Sequence, residues 1–181
     1  MSDRETPPQA VGDVLFTAEQ IAQRVAELGE AVRRDYTGRP LTIVAILRGS
    51  IAFLADLRTH LAEDVTIELI EASSYGDGTA SNGQVSIRRY GTLDVADRDV
   101  LLLDDIADTG YTLVKVREAI EAMGPRSVRT CVLLDKPSRR RVDVALDYRG
   151  FEVPDVFVVG YGLDLAGRYR GLPYITRLDG D

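Results

Sequence analysis

The chain has 181 residues, 45% of them apolar and 28% charged, which suits a single globular domain spanning 1–181 with one sizeable core. Its formal net charge is -7 with no long basic run, which argues against sequence-specific nucleic-acid binding and against attachment to an anionic membrane surface. An anionic substrate is still admissible, because backbone amides and a few local cations hold phosphate on an acidic protein.

Residues 1–13 read as a polar, proline-containing flexible tail without an apolar signal segment. Thr17, with Gln20 three residues later, forms a capping box that opens a helix. Ile21, Val25, Leu28 and Val32 recur at helical spacing, and Gly38-Arg39-Pro40 closes the segment. LTIVAIL, 41–47, is a continuous apolar run of strand length, the pattern of a parallel strand buried on both faces. Arg48-Gly49-Ser50 turns into a helix over 51–62, which carries His60. This single histidine is remote in sequence from every motif below and reads as a surface residue.

VTIELIEA, 65–72, is the next strand. SSYGDGTASNG, 73–83, has little to bury and reads as a flexible lid loop. QVSIRRY resumes a strand, and DVLLLDDI, 99–106, is the strongest buried strand of the chain. ADTGYT leads into a helix over 112–123 that Gly124-Pro125 ends. SVRTCVLLDK is another strand. It holds Cys131, the only cysteine, as a core thiol, so neither an intrachain disulfide nor a multi-cysteine zinc site can form, which fits a reducing, cytoplasmic setting. DVFVVGYG, 155–162, reads as the last strand, and no run reaches the roughly 18 apolar residues of a membrane span. Strands alternating with helices predict an α/β fold: a mostly parallel twisted sheet with helices on both faces.

The chemistry concentrates where the strongest strand ends. Leu101-Leu102-Leu103 runs into Asp104 and Asp105, then into a turn with Asp108, Thr109, Gly110, Tyr111 and Thr112 that opens a helix. Ligands of open α/β sheets bind outside the carboxyl ends of the strands. The amides and hydroxyls of such a turn, at a helix N-terminus, form an anion site. The carboxylates would repel phosphate, so hard divalent cations and sugar hydroxyls are their natural partners. Read alone, an acidic strand end is also a solvated turn. There is no G-x-G-x-x-G or G-x-x-x-x-G-K-[ST] to support a Rossmann or P-loop reading.

LLLDDIADTGYT resembles the phosphoribosyl-diphosphate-binding motif of type I phosphoribosyltransferases, and Asp108, two residues before Gly110, resembles the hypoxanthine-guanine branch of that family. The resemblance extends over about residues 14–175 and implies the type I fold with a small hood, including a base-recognition segment at 150–175. It implies that Asp104 and Asp105 hold the ribose hydroxyls while residues 108–112 wrap the 5-phosphate. LRGS, 47–50, is similar to the diphosphate-binding loop, with Arg48 where many purine enzymes carry Lys, and with Gly49 beside it. In the family the peptide before that basic residue is often cis. Ser74-Tyr75 resembles the Ser-Tyr pair of the family's lid. Lys136, in LLDKP, matches the lysine that donates to a purine 6-oxo group, although a lone lysine at a strand end is ordinarily a solvated one.

GFEVPDVFVVGYGLDLAGRYRGLPYI, 150–175, is similar to the hood. That similarity implies that Phe157 stacks on the purine and Val158 offers its backbone to the base edge. It also implies that Asp164 contributes to Mg2+ binding and that Arg170 reaches the diphosphate. The implied reaction displaces diphosphate from the anomeric carbon of 5-phosphoribosyl 1-diphosphate by a ring nitrogen of a purine base. Its transition state resembles an oxocarbenium ion. Mg2+ is the expected cofactor, with Asp104, Asp105 and Asp164 as expected ligands, and Asp108 is the candidate general base or orienting group. A homodimer or homotetramer is expected. A ligand-sensing nucleic-acid-binding regulator of the same fold, a xanthine-guanine transferase and an inactive module are the competing readings.

Overall fold

The computed structural model describes residues 11–61, 64–74 and 85–178. Thr17 caps the first helix, α1 (Ala18–Asp35), as its spacing predicts. The Thr17 Oγ1 accepts from the Gln20 amide at 3.3 Å, and Gln20 Oε1 accepts from the Thr17 amide at 2.9 Å. The apolar runs become the parallel strands β2 (Leu41–Leu47), β3 (Val65–Ser74), β5 (Asp99–Ala107) and β6 (Ser127–Asp135). With β4 (Val85–Arg89) antiparallel at one edge and β7 (Tyr148–Glu152) parallel at the other, they form a six-stranded sheet ordered β4-β3-β2-β5-β6-β7.

Alternation along β5 sorts its side chains between two apolar layers. Leu101 and Leu103 face the layer that holds Ile21, Val25, Leu28 and Val32 of α1 and Phe53 and Leu57 of α2 (Ile51–Leu57). Val100 and Leu102 face the layer of Leu113, Val116 and Ile120 from α3 (Tyr111–Glu121). Both faces of the central strands are covered, which is why those strands read as unbroken apolar runs. Cys131 is buried among them.

The structure departs from expectation at the ends of elements. Residues 11–13, assigned to the flexible tail, begin β1 (Val11–Phe16); residues 1–10 lie outside the described residues. The second helix stops at Leu57 and tightens into a single 3-10 turn, where half-buried His60 packs against Gly29 of α1 rather than standing free on the surface. Ser74, placed in the lid by sequence, ends β3, and Tyr75 with the rest of the lid segment lies outside the described residues.

DVFVVGYG is not the last strand. Only Val158–Val159 (β8) extends, because Gly160, Tyr161 and Gly162 all take positive φ and turn the chain. The true last strand is β9 (Ile175–Leu178). It pairs with both β8 and β1 in a second, three-stranded antiparallel sheet ordered β1-β9-β8. This small sheet is the hood. Residues 150–152, assigned to it by sequence, belong instead to β7 of the main sheet.

Candidate active site

The carboxyl ends of β2, β5 and β6 open into a cleft of about 1100 Å3 that residues of the hood close from the other side. Its floor is the acidic tip of β5. Asp104 is buried and Asp105 partly so, and the Asp104 Oδ1 accepts from the Asp105 amide at 3.0 Å. Burial, with the adjacent Asp105 charge, pushes the Asp104 carboxyl well above its ordinary range; burial raises Asp105 as well. Two neighbouring carboxylates are thus crowded together with little water on Asp104, and only the more distant charge of Arg170 offsets this at Asp105; a bound metal or hydroxyl-rich ligand would relieve that cost.

Beyond them Asp108, Thr109, Gly110 and Thr112 line the cleft, whereas Tyr111 starts α3 without lining it. Gly110 is the N-cap of α3 with φ of 92°, a left-handed conformation that gives this turn its glycine requirement. The turn is braced from behind. The amides of Arg141 and Val142 donate to the Thr109 carbonyl at 2.9 and 3.3 Å, and Arg140 donates to the Ala107 carbonyl at 3.4 Å. Arg140 also pairs with the buried carboxylate of Asp135. Thr109, Gly110 and Thr112 thus line the cleft at the start of α3, where the first amides of a helix are left without intrahelical partners and suit an anion.

Arg48 and Gly49 form the neighbouring wall, and the Leu47–Arg48 peptide is cis. Arg48 is exposed, its Nε 3.4 Å from Glu71 Oε1. Gly49 sits directly on the floor: a Cβ there would lie 1.4 Å from the Asp105 Oδ2. Gly162 of the hood in turn backs onto Gly49, whose carbonyl oxygen would stand 2.2 Å from a Gly162 Cβ. Asp105, Gly49 and Gly162 thus form one stack joining floor, wall and hood.

On the far side, Lys136 follows β6. Its amide donates to the Ala107 carbonyl at 2.9 Å, which draws the end of β6 to the end of β5. The Lys136 side chain is buried rather than solvated, and its Nζ donates to the Val156 carbonyl at 2.6 Å. Burial lowers its pKa, opposed by the charges of Asp108 and Asp155. Phe157, 40% exposed, offers a ring in the cleft beside buried Val158. Asp164 and Arg170 also line the cleft but are paired to each other. The Arg170 guanidinium lies 2.6 Å from Asp164 Oδ1 and donates to the Gly162 carbonyl at 2.6 Å, and Asp164 Oδ2 accepts from the Gly167 amide at 2.7 Å.

The fold thus brings Arg48, Gly49, Asp104, Asp105, Asp108, Thr109, Gly110, Thr112, Lys136, Phe157, Val158, Asp164 and Arg170 to one cleft. It adds Arg139, Asp155 and Arg177, which the motif reading does not reach. Arg139 lies three residues after Lys136 in an Arg139-Arg140-Arg141 run, and nothing in that run separates a cleft-facing arginine from a solvated one. Arg177 enters only through β9.

The residues fit a hard divalent cation that arrives with its substrate. Among the described residues no group of three or more His, Cys, Asp or Glu is placed to hold an ion by protein ligands alone. Mg2+ is ordinarily held by one or two carboxylates plus substrate phosphates, and the paired aspartates at the floor meet that need.

Comparison with known proteins agrees over nearly the whole chain. A family profile described as "Phosphoribosyl transferase domain" matches residues 12–165. The hypoxanthine phosphoribosyltransferase of Salmonella typhimurium is 43% identical over 168 residues, covering 92% of this chain and 94% of that protein. The hypoxanthine-guanine phosphoribosyltransferase of Mycobacterium tuberculosis is 41% identical over 181 residues, covering 97% and 90%. A crystal structure of a hypoxanthine phosphoribosyltransferase from Staphylococcus aureus superposes with a TM-score of 0.89 at 41% identity, covering 93% of this chain and 91% of that one. With the anion cradle, the buried acidic floor and the match in both sequence and fold, the chain belongs to the phosphoribosyl transferase family.

Proposed function

We propose that this chain acts in purine salvage, transferring the 5-phosphoribosyl group from 5-phosphoribosyl 1-diphosphate to hypoxanthine, and to guanine, with release of IMP (or GMP) and diphosphate. The observation that carries the reading is one cleft that holds an acidic floor and an amide cradle on one side, and a buried lysine beside an exposed phenyl ring on the other. The first pair suits a phosphorylated sugar; the second suits a planar base with an oxo group.

In this reading the turn 108–112 holds the 5-phosphate through its amides and hydroxyls. Asp104 and Asp105 hold the ribose hydroxyls, and one or two carboxylates from among Asp104, Asp105 and Asp164 would hold, together with substrate oxygens, a Mg2+ ion that when bound neutralises charge on the leaving diphosphate. Arg48, with the amides around Gly49, and Arg170 share that charge. Arg170 exchanges Asp164 for the diphosphate as it does so. Ser74 and Tyr75 would serve to keep water from the ribosyl cation. Asp108 accepts or holds the proton of the base at N7 and orients the base as it does so.

Lys136 donates to the 6-oxo group, Phe157 stacks on the ring, and the backbone of Val158 and the carbonyl of Asp164 meet the base edge. The polarity sets the choice of base: adenine would place an amino donor against the Lys136 ammonium, and a buried unpaired donor costs about 1–3 kcal/mol. A cytoplasmic enzyme acting as a homodimer or homotetramer completes the reading; light scattering on the purified protein tests the assembly.

Initial rates with hypoxanthine, guanine, xanthine and adenine, each with 5-phosphoribosyl 1-diphosphate and Mg2+, test the function. Hypoxanthine and guanine are expected to turn over, xanthine more weakly and adenine least. Preference for adenine, or nucleic-acid binding without any turnover, would overturn it.

A further inference from the structure

We infer that Arg139 is a positioning residue for the Asp108 carboxylate, tying it to the segment that receives the base. The inference rests on reading Asp108 as the group that faces the base proton. The Arg139 Nε lies 3.2 Å from Asp108 Oδ1 and 3.6 Å from Asp155 Oδ1, and all three side chains line the cleft. They are roughly half exposed, at 47%, 40% and 56%. An ion pair that wet contributes little to folding stability, so its effect lies in geometry. A guanidinium N–H fixed on Oδ1 restricts the carboxylate to one orientation and leaves Oδ2 for the base.

The element that carries Arg139 is itself fixed. Pro137–Arg139 forms a single 3-10 turn directly after Lys136, and the Arg139 amide donates to the Lys136 carbonyl at 3.1 Å. On one side the Lys136 amide binds the Ala107 carbonyl and the Arg141 amide binds the Thr109 carbonyl, each at 2.9 Å, so this turn is clipped to both neighbours of Asp108. On the other, Asp155 directly precedes Val156, whose carbonyl accepts from Lys136 Nζ. One guanidinium therefore spans the two halves of the cleft at the place where a base would meet its proton acceptor. Burial of that contact under a bound base would strengthen it, since water no longer competes for either partner.

The test is a kinetic cycle on the full-length enzyme with Mg2+: Arg139→Gln, Arg139→Lys, Asp108→Asn and the Arg139→Gln/Asp108→Asn double variant, each with kcat and both KM values. Arg139→Gln is expected to lower kcat by about 10- to 100-fold, as misorientation of a reacting group does. Its KM for 5-phosphoribosyl 1-diphosphate should stay within about twofold of the parent, because the variant changes the Asp108 carboxylate's partner and not the backbone of the turn that would hold the 5-phosphate. Arg139→Lys recovers most of kcat, and Arg139→Gln adds no further loss once Asp108 is Asn. The melting temperature should not move. Asp108→Asn collapsing while Arg139→Gln keeps full kcat, or the two losses multiplying in full, would sink the role of Arg139 alone. Undiminished turnover in Asp108→Asn would instead remove the reading of Asp108 on which it stands.

Discussion

The two sides of the cleft are charged in opposite styles. On the floor, Asp104 and Asp105 lie side by side with no ion-pair partner in direct contact among the described residues, and burial raises both above the usual carboxylate range although the Arg170 charge opposes the shift at Asp105. On the other side, charges already have partners within the chain: Arg170 with Asp164, Lys136 with the Val156 carbonyl, and Arg139, which reaches back across the cleft to Asp108. A ligand that brings a cation or hydroxyls to the floor would offset the desolvation of its carboxylates, whereas the hood must exchange its internal partners for ligand atoms. Affinity on the floor comes from relief of desolvated charge. On the hood side it comes from the difference between two satisfied states, which is better suited to discriminating bases than to raw affinity.

The joint between the two sides is the sharpest place to break this contrast. Gly162→Ala places a Cβ against the Gly49 carbonyl in a backbone with φ of 99°. It should lower kcat/KM by about 100-fold or more, because wall and hood can no longer close on each other, and misplacement by an ångström costs that much. Steady-state kinetics with both substrates would check it, and a loss confined to one substrate's KM would show that the two sides act independently.

On the paired side, Lys136→Gln should raise KM for hypoxanthine about 10-fold or more, as loss of a charged donor does. The KM for 5-phosphoribosyl 1-diphosphate should change little, and the gap between hypoxanthine and adenine should narrow. Phe157→Ala is expected to act in the same direction but by only about three- to tenfold, the size of an aromatic stacking contact. Equal effects on both substrates in either variant would erase the division of labour.

The smallest effect has the opposite sign. Because burial raises the Asp104 pKa in the folded chain, folding favours its protonated form. That contribution is unimpaired below the ordinary carboxylate range and is lost as pH rises through the raised folded value, above which the ionised group is a burden. Asp104→Asn should therefore raise the melting temperature by about 2–4 °C at pH 7 while abolishing turnover, with the gain shrinking in acid. Thermal scans across pH would show it. Destabilisation at neutral pH would mean that the floor carboxylates do not carry the desolvation cost described above.

Chain-local signals carried much of the fold. The period of Ile21, Val25, Leu28 and Val32, the Thr17–Gln20 box and the double-sided burial of β2, β5 and β6 are properties of neighbouring residues, so they are readable without a partner. The same holds for the floor of the cleft, since residues 104–112 are contiguous and their strand–turn–helix frame is local. What the chain did not disclose was pairing at a distance. β7 and β9 contain Arg149 and Arg177 among few apolar residues, and their strand character comes from β6 and from β1 and β8, which lie far away in sequence. DVFVVGYG looked like a strand because apolar content signals burial, but positive φ at Gly160, Tyr161 and Gly162 turned the chain after two residues.

What the sequence determined by itself was therefore the α/β frame and the acidic strand–turn–helix floor, because each depends on spacing within a few residues. Which charges neutralise one another in the cleft was settled only in three dimensions. The pairs Arg139–Asp108 and Arg170–Asp164, and the Asp105–Gly49–Gly162 stack, depend on which strand ends and turns are brought within a few ångströms, and sheet topology sets that, not local propensity.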